Sequence, residues 1–177
     1  MSRRVVFLDR DGTLNVDRGY VHKADAWEWV EGAVDALELL QREGYALAIV
    51  TNQSGIAHGL YTEEQMHTLH QFMNEELQKR GIHIDAIAFC PHGRDQHTCD
   101  CRKPDIGMAK QIEKTLGEID YVHSWTVGDK EADMAFGKNL GTKTALIRSE
   151  YWKQEDLSEQ PDAIVGSLLE AARIIVP

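Results

Sequence analysis

Short apolar segments alternate with amphipathic segments along almost the whole chain of 177 residues. Short runs rich in Val, Ile, Phe and Leu predict buried strands, and apolar residues at helical spacing predict helices between them. The predicted strands are 5–8, 45–50 with Thr51 at its end, 84–89, 123–127, 143–147 and 163–165. Strands and helices that alternate in this way form a parallel sheet with helices on both faces. The sequence therefore predicts an α/β fold with one doubly wound, Rossmann-like domain.

Helices are expected between and after these strands. The predicted segments are 33–43, the segment that follows Thr62, the segment opened by Pro104 and Asp105, 132–140 and 167–174. Thr62 and Gln65 form the pattern of a capping box. No linker, repeat or low-complexity tract interrupts the chain, and sheet-and-helix units fill the gaps between the polar motifs. We expect a single domain over 1–177 with no separate cap domain.

The charge of the chain restricts its partners. Acidic residues outnumber basic ones, and the formal net charge is −10. The basic residues are scattered, whereas a nucleic-acid or membrane surface needs a contiguous positive patch. No run of about 18 apolar residues occurs, so no signal peptide or membrane anchor is evident. We expect a monomer that binds a small molecule, with no nucleic-acid or membrane partner.

Polar clusters follow four of the predicted strands. They contain Asp9 and Asp11, Thr51 to Ser54, Arg102 and Lys103, and Asp129 and Lys130. The carboxyl ends of parallel strands meet at one edge of the sheet, where ligands bind. Carboxylates are preferred ligands of Mg²⁺, and a hydroxyl, backbone amides and a lysine can hold phosphate oxygens. The clusters therefore predict a phosphoryl-transfer site, built without a Walker loop.

Each of these residues also has a purely structural interpretation. Asp9 and Asp11 could cap a turn, because Asp is a preferred turn residue. Thr51 could be an ordinary threonine at a strand end, and Lys103 a solvated loop lysine. Asp129 could be the N-cap of a helix. The coincidence of these residues at four strand ends favours a functional site.

The motifs D-R-D-G-T, T-N-Q-S, Lys103 and G-D-K occur in that order. They resemble the haloacid dehalogenase superfamily of aspartate-nucleophile phosphatases. The resemblance implies that Asp9 attacks phosphorus to form an aspartyl phosphate. It implies that Asp11 protonates the leaving alkoxide and then activates the water that hydrolyses the intermediate. Thr51 and Lys103 would hold the transferring phosphoryl group. Asp129 would bind Mg²⁺ together with Asp9 and the main-chain carbonyl of Asp11.

Three cysteines and a histidine fall within one short loop, over about 90–101. They are Cys90, His92, Cys99 and Cys101, with the spacing C-x-H-x6-C-x-C. Four such ligands suit a tetrahedral, structural Zn²⁺, and the odd number of cysteines is a poor disulfide framework. The open alternatives are reduced, buried cysteines or a disulfide from Cys90 to Cys99, and His97 is a competing ligand. A zinc site here would fix the loop that leads to Arg102 and Lys103.

Within the superfamily, four further segments are similar to the heptose 1,7-bisphosphate 7-phosphatase family. They are D-R-G-Y-V-H, T-N-Q-S-G-I-A, C-P-H and C-D-C-R-K-P. The resemblance implies a Mg²⁺-dependent enzyme that removes the C7 phosphate of D-glycero-D-manno-heptose 1,7-bisphosphate, in making nucleotide-activated heptose for bacterial surface polysaccharide. It implies substrate contacts from Asp17, Arg18, Gly19, Tyr20, Thr51, Asn52, Gln53, Ser54, Arg102, Lys103 and Lys130. The clustered cysteines separately favour a reducing cytoplasm.

Other functions stay open at this point. The zinc loop has six residues between His92 and Cys99, a short form that also resembles histidinol-phosphate phosphatases. Against that interpretation, the chain keeps the segment 54–57 and the pair Gly19 and Tyr20. A nucleic-acid end-processing phosphatase would share the D-x-D-G-T motif, but the net charge opposes it. A catalytically idle phosphate-binding module is the third alternative. The sequence does not indicate which anomer of the 1-phosphate is preferred.

Overall fold

Six parallel strands form one sheet in the computed structural model, which describes residues 2–96 and 99–176. The strands are β1 (Val5–Leu8), β2 (Ala46–Asn52), β3 (Ala86–Cys90), β4 (Trp125–Gly128), β5 (Lys143–Ile147) and β6 (Ala163–Val165). Their order is β3-β2-β1-β4-β5-β6. The order of addition reverses between β1 and β4, which opens a crevice at their carboxyl ends. The predicted doubly wound sheet is confirmed. His97, the predicted competing zinc ligand, lies outside the described residues.

Helices cover both faces of this sheet. They are α1 (Ala33–Arg42), α2 (Glu63–Gln78), α3 (Gly107–Leu116), α4 (Glu131–Leu140) and α5 (Leu168–Ile175). The predicted capping box is present at the start of α2, where Thr62 and Gln65 each accept a bond from the other's backbone N–H. Among the described residues, no helix combines the length and the apolar character needed to cross a bilayer.

The central strand β1 is anchored in two apolar cores. Val6 and Leu8 pack in the core that contains α1 and α5, whereas Val5 and Phe7 pack in the core that contains α3. All four side chains are fully buried. Successive side chains of a strand point to opposite faces, so burial on both sides explains the continuous apolar run. The strand is therefore held rigidly up to the point where Asp9 follows it.

The third helix begins later than the sequence predicts. Pro104 and Asp105 were expected to open it, but α3 begins at Gly107. Both residues instead lie in a turn, in which the N–H of Asp105 donates to the carbonyl of Arg102 at 2.8 Å. The turn leaves Lys103 ahead of the helix, where its side chain can reach the sheet edge.

Strands β3 and β4 each begin two residues later than predicted. Asp120 accepts a hydrogen bond from the N–H of His123 at 3.2 Å, which keeps 121–123 in a turn and starts β4 at Trp125. Asp85 accepts one from the N–H of Leu47 at 2.8 Å, immediately before β3. These differences do not change the residues that reach the carboxyl edge of the sheet.

Candidate active site

A cleft of about 920 Å³ lies across the carboxyl ends of the central strands. Most of the predicted site residues line it. They are Asp9, Asp11, Asp17, Gly19, Tyr20, Asn52, Gln53, Ser54, Arg102, Lys103 and Lys130. Thr51 and Asp129 are buried at the ends of β2 and β4, each with 1% of its surface exposed. The sheet thus brings the motifs from four separate parts of the chain to one edge.

Three carboxylates form a buried cluster in this cleft. Asp9, Asp129 and Asp133 each offer an oxygen, and these oxygens lie within 4.8 Å of one another. Burial and the charge of Asp9 raise the pKa of Asp129 to about 8. Crowding of like charges in a dry site is unfavourable unless a cation lies among them. Three hard oxygen donors in this arrangement fit a divalent ion such as Mg²⁺.

Gly12 allows the cluster to form. It has a φ of 86°, a conformation that favours glycine, and a Cβ at this position would collide with the carboxylate of Asp129. The turn after β1 can therefore fold back onto the end of β4 only with glycine here. The D-x-D-G motif thus brings Asp9 and Asp129 together.

Lys103 forms hydrogen bonds to two of the three acids. Its Nζ donates to Asp9 Oδ1 at 2.8 Å, to Asp133 Oδ1 at 2.6 Å and to the carbonyl of Val50 at 2.7 Å. Burial alone would lower the pKa of Lys103, but Asp133 and Asp9 raise it above its ordinary value. The side chain is 4% exposed as a residue, so the solvated-lysine interpretation is wrong. Lys103 is a charged, fully paired lysine in the interior.

Two neighbouring lysines, Lys103 and Lys130, favour the ionised form of Asp9. Burial would raise the pKa of this carboxyl group, but the charges of Lys103 and Lys130 hold it below its ordinary value. An ionised carboxylate is the form that can act as a nucleophile. Asp9 therefore combines a position at the floor of the cleft with the charge state that attack on phosphorus requires.

Asp133 was missed by the sequence reasoning. Its second oxygen accepts a hydrogen bond from the backbone N–H of Lys130 at 3.0 Å, where α4 begins. Lys130, rather than Asp129, is the N-cap residue of α4, so the capping interpretation of Asp129 is wrong. The spacing of Asp129 and Asp133, four residues apart at a helix start, was the signal that could have identified the third acid.

Asp11 faces a different set of partners. Both of its oxygens accept hydrogen bonds from Arg10, and further bonds come from Asn15 and Gln53 at 3.0 Å each. Its carboxylate lies outside the cluster of three acids. This is consistent with the prediction that only its main-chain carbonyl would contact a metal, which stays a prediction.

The predicted substrate residues fall into two groups. Asn52 binds the backbone of Lys103, accepting from its N–H at 3.0 Å, and Gln53 donates to Thr51 at 2.8 Å as well as to Asp11. These amides organise the site from within. Arg18, by contrast, is more than half exposed and pairs with Glu28.

Tyr151 is a wall of the cleft that the sequence reasoning missed. Its hydroxyl donates to Asp17 Oδ2 at 2.9 Å, and the Nζ of Lys130 lies 4.5 Å from the centre of its ring. The residue follows β5, on a loop without a recognisable motif. Only the packing of three loops against one another places it beside Asp17 and Lys130.

The cysteine loop forms a second ligand cluster. Ligand atoms of Cys90, His92, Cys99 and Cys101 all lie within 4.8 Å of one another. The Sγ atoms of Cys90 and Cys99 are 3.8 Å apart, and all three cysteines are free, so the disulfide alternative is wrong. The three thiols and one imidazole fit a tetrahedral Zn²⁺. Arg102 donates to the carbonyl of His92 at 2.9 Å, which joins this loop to the cleft.

Comparisons with known proteins agree with this geometry. The family model for polynucleotide kinase 3 phosphatase matches residues 4–156. The D-glycero-beta-D-manno-heptose-1,7-bisphosphate 7-phosphatase of Yersinia pestis is 43% identical over 178 residues, which covers 96% of this chain and 94% of that protein. The protein of the same name from Escherichia coli K12 is 42% identical over 178 residues, with coverages of 96% and 92%. A crystal structure of D,D-heptose 1,7-bisphosphate phosphatase from B. bronchiseptica, complexed with magnesium and phosphate, has a TM-score of 0.86 and 29% identity and covers 97% of both chains.

Proposed function

Because the chain belongs to the family of D-glycero-beta-D-manno-heptose-1,7-bisphosphate 7-phosphatases, we propose that it removes the C7 phosphate of this sugar bisphosphate and leaves the 1-phosphate in place. The names of the relatives specify the beta anomer, and we propose the same preference here. The observation that carries the proposal is the buried Lys103, which bridges Asp9 and Asp133 beside Asp129. This arrangement can hold a metal and a transferring phosphoryl group together.

Asp9 is the nucleophile in this proposal. One of its oxygens attacks phosphorus, and the bond between phosphorus and the C7 oxygen breaks as the aspartyl phosphate forms. Thr51 binds a phosphoryl oxygen, and Lys103 exchanges one of its three hydrogen bonds for a bond to another phosphoryl oxygen. Both residues stabilise the negative charge on these oxygens in the transition state. Asp9, Asp129 and the main-chain carbonyl of Asp11 would hold Mg²⁺, with Asp133 beside them. When bound, Mg²⁺ would offset negative charge on the phosphoryl oxygens and the acids.

Asp11 is the general acid and the general base in this proposal. In its protonated form, Asp11 donates its proton to the C7 oxygen as the bond to phosphorus breaks, because an alkoxide is a poor leaving group, and Asp11 is left as a carboxylate. It then takes a proton from the water that attacks the aspartyl phosphate, which restores Asp9 and releases inorganic phosphate. Its position two residues after Asp9, on the wall of the same cleft, supports both steps.

The second phosphate and the sugar would contact the loops around the cleft. The cleft is lined by Asp17, Gly19 and Tyr20, and also by Arg102 and Lys130, which bring positive charge to the cleft. Arg18, Asn52, Gln53 and Ser54 complete the proposed substrate-binding set. Zn²⁺, when bound to the four ligands at 90–101, would fix the loop that carries Arg102 and Lys103.

The proposal also covers the cellular compartment, the oligomeric state and the metabolic role of the enzyme. We place the enzyme in the cytoplasm, as a monomeric domain over 1–177, in the formation of nucleotide-activated heptose for bacterial surface polysaccharide. Three free cysteines clustered for a metal are typical of a reducing compartment. The net charge of −10 opposes binding to nucleic acid, although the matching family model is named for a polynucleotide enzyme.

Phosphorus NMR of the heptose bisphosphate during turnover tests the proposal. With Mg²⁺ present, we expect the C7 signal to disappear while the C1 signal remains. Asp9→Asn should retain the fold and abolish the reaction, because an amide cannot replace the carboxylate nucleophile. Asp85→Asn, at the opposite end of the sheet, is the matched control and should remain active. Loss of the C1 phosphate, or turnover by Asp9→Asn, would overturn the proposal.

A further inference from the structure

Arg10, between the two catalytic aspartates, is one of the most deeply buried side chains of the protein, with 0% of its surface exposed. Its Nε donates to Asp11 Oδ2 at 3.1 Å, and one terminal nitrogen donates to Asp11 Oδ1 at 3.0 Å and to the carbonyl of Val21 at 2.6 Å. The other terminal nitrogen lies 3.2 Å from His70 Nε2. All three nitrogens of the guanidinium therefore have partners.

The contact with His70 has a defined direction. Arginine can only donate hydrogen bonds, so His70 Nε2 must accept this one and the ring proton must be on Nδ1. Burial and the charge of Arg10 lower the pKa of His70 to about 3, which keeps the ring neutral. His70 lies on α2 and is 4% exposed. It is a rigid acceptor that fixes the far side of the guanidinium.

The near side of the guanidinium fixes Asp11. Two parallel bonds from arginine to a carboxylate set the plane of the carboxylate as well as its position. Asn15 and Gln53 each add one further donor, and Gln53 is itself held by the hydroxyl of Tyr61. The carboxylate of Asp11 nevertheless lines the cleft, where 19% of the side chain is exposed. The carboxylate of Asp11 is therefore accessible from the cleft, and its hydrogen bonds to Arg10, Asn15 and Gln53 fix its orientation.

We propose that Arg10 and His70 are positioning residues of the reaction: His70 orients the guanidinium of Arg10, and Arg10 orients the carboxylate of Asp11 for proton transfer. The inference rests on the proposed function, because that function assigns proton transfer to Asp11. An ion pair that is largely buried adds little net stability compared with apolar packing, so a stabilising role alone does not account for the pair of Arg10 and Asp11. Orientation of a group that must transfer protons does account for it.

Two variants of His70 separate orientation from packing. Glutamine places a carbonyl oxygen near the position of Nε2, so His70→Gln keeps an acceptor for Arg10. Leucine fills similar volume without any acceptor, so His70→Leu leaves a guanidinium N–H unpaired. Arg10→Lys is the second route to the same test, because an ammonium keeps the charge but cannot form the two parallel bonds.

The rates should depend on the leaving group. For the sugar bisphosphate, we expect His70→Leu and Arg10→Lys to lower kcat by about 10²-fold with little change in KM, a loss typical of a misplaced catalytic group. p-Nitrophenyl phosphate releases a stable phenolate that needs no proton from Asp11. With this substrate, the variants should therefore give a fast burst of about one phenolate per enzyme, followed by slow hydrolysis of the aspartyl phosphate. His70→Gln should stay within about threefold of wild type on both substrates.

The outcomes separate this inference from the proposed function. Wild-type kinetics in His70→Leu and Arg10→Lys would overturn the inference. Equal losses of kcat in His70→Leu and His70→Gln would also overturn it, as would equal losses of kcat on both substrates without a burst. Unchanged inhibition by inorganic phosphate with Mg²⁺ shows that the site of each variant remains folded, and Arg10→Lys decides the matter if His70→Leu does not fold. If the wild-type enzyme does not hydrolyse the heptose bisphosphate, the proposed function fails, and the burst with p-nitrophenyl phosphate still tests the positioning of Asp11.

Discussion

Asp133→Asn tests the member of the acid cluster that the interpretation of the sequence missed. One oxygen of Asp133 accepts from Lys103 Nζ at 2.6 Å, and the other accepts from the N–H of Lys130 at 3.0 Å. Asparagine has one acceptor oxygen and one NH₂ group, so one of these two donors would face another donor. Either Lys103 or the start of α4 must therefore lose its partner.

The magnitude follows from opposing contributions. A lost hydrogen bond to a charged group costs about 1.5–3 kcal/mol, and a lost helix cap costs about 1 kcal/mol. Removing one of three clustered acids relieves repulsion, since burial and the charge of Asp9 raise the pKa of Asp133. We expect Asp133→Asn to lower the free energy of unfolding by about 2 kcal/mol in EDTA. The deficit should be larger with Mg²⁺, because the bound cation already compensates the repulsion in the wild-type protein.

Urea denaturation with EDTA and with Mg²⁺ measures this difference. Asp85→Asn is the control, because Asp85 accepts one bond, from the N–H of Leu47 at 2.8 Å, and asparagine can keep it. The control should change the free energy of unfolding by less than about 0.5 kcal/mol. We also expect Asp133→Asn to lower kcat/KM by about 10²-fold, because Lys103 loses one of its anchors. Equal stability and activity in the two variants would refute the reasoning.

Two other perturbations test separate parts of the structure. Cys101→Ser should lower zinc content and melting temperature together, because the loop at 90–101 loses a ligand; unchanged zinc stoichiometry would mean that the ligands are wrongly identified. His70→Gln should flatten the acid dependence of stability. The pKa of His70 falls from 6.5 to about 3 on folding, so the unfolded chain binds the proton first and the wild-type protein loses stability as the pH falls below 6.5. Between pH 7 and pH 5, the free energy of unfolding of the variant, measured by urea denaturation, should rise by about 2 kcal/mol relative to that of the wild type. The same dependence of unfolding free energy on pH in both proteins would contradict this expectation.

Burial explains why much of the fold could be predicted. β1 is packed on both faces, so its residues must be apolar throughout, and the run at 5–8 indicates a central strand directly. The same logic located Asp9, Thr51 and Asp129, because each lies at the carboxyl end of a buried strand or directly after it, and parallel strands end at one edge. Helix starts were less predictable, since Pro104 favours a turn as readily as a first helical turn.

The residues that were missed owe their roles to contacts across the chain. Arg10 lies in a motif that was recognised, but its partner His70 is sixty positions away on a helix whose sequence shows only amphipathic character. Tyr151 reaches the cleft because three loops pack together. Asp133 was the exception, because its spacing from Asp129 was visible and was not used. Side-chain direction, rather than secondary structure, was the information that the sequence lacked.

The central claim is tested most directly by comparing kcat/KM for phosphate release with Mg²⁺ across a short panel of substrates. The panel contains both anomers of heptose 1,7-bisphosphate, histidinol phosphate, fructose 1,6-bisphosphate and a 3′-phosphorylated oligonucleotide. We expect the beta heptose bisphosphate to be preferred by at least about 10²-fold, which corresponds to about 2.7 kcal/mol in transition-state binding. A preference for histidinol phosphate or for the oligonucleotide would contradict the proposed function, and the roles assigned to Arg18, Tyr20 and Arg102 would then have to be withdrawn.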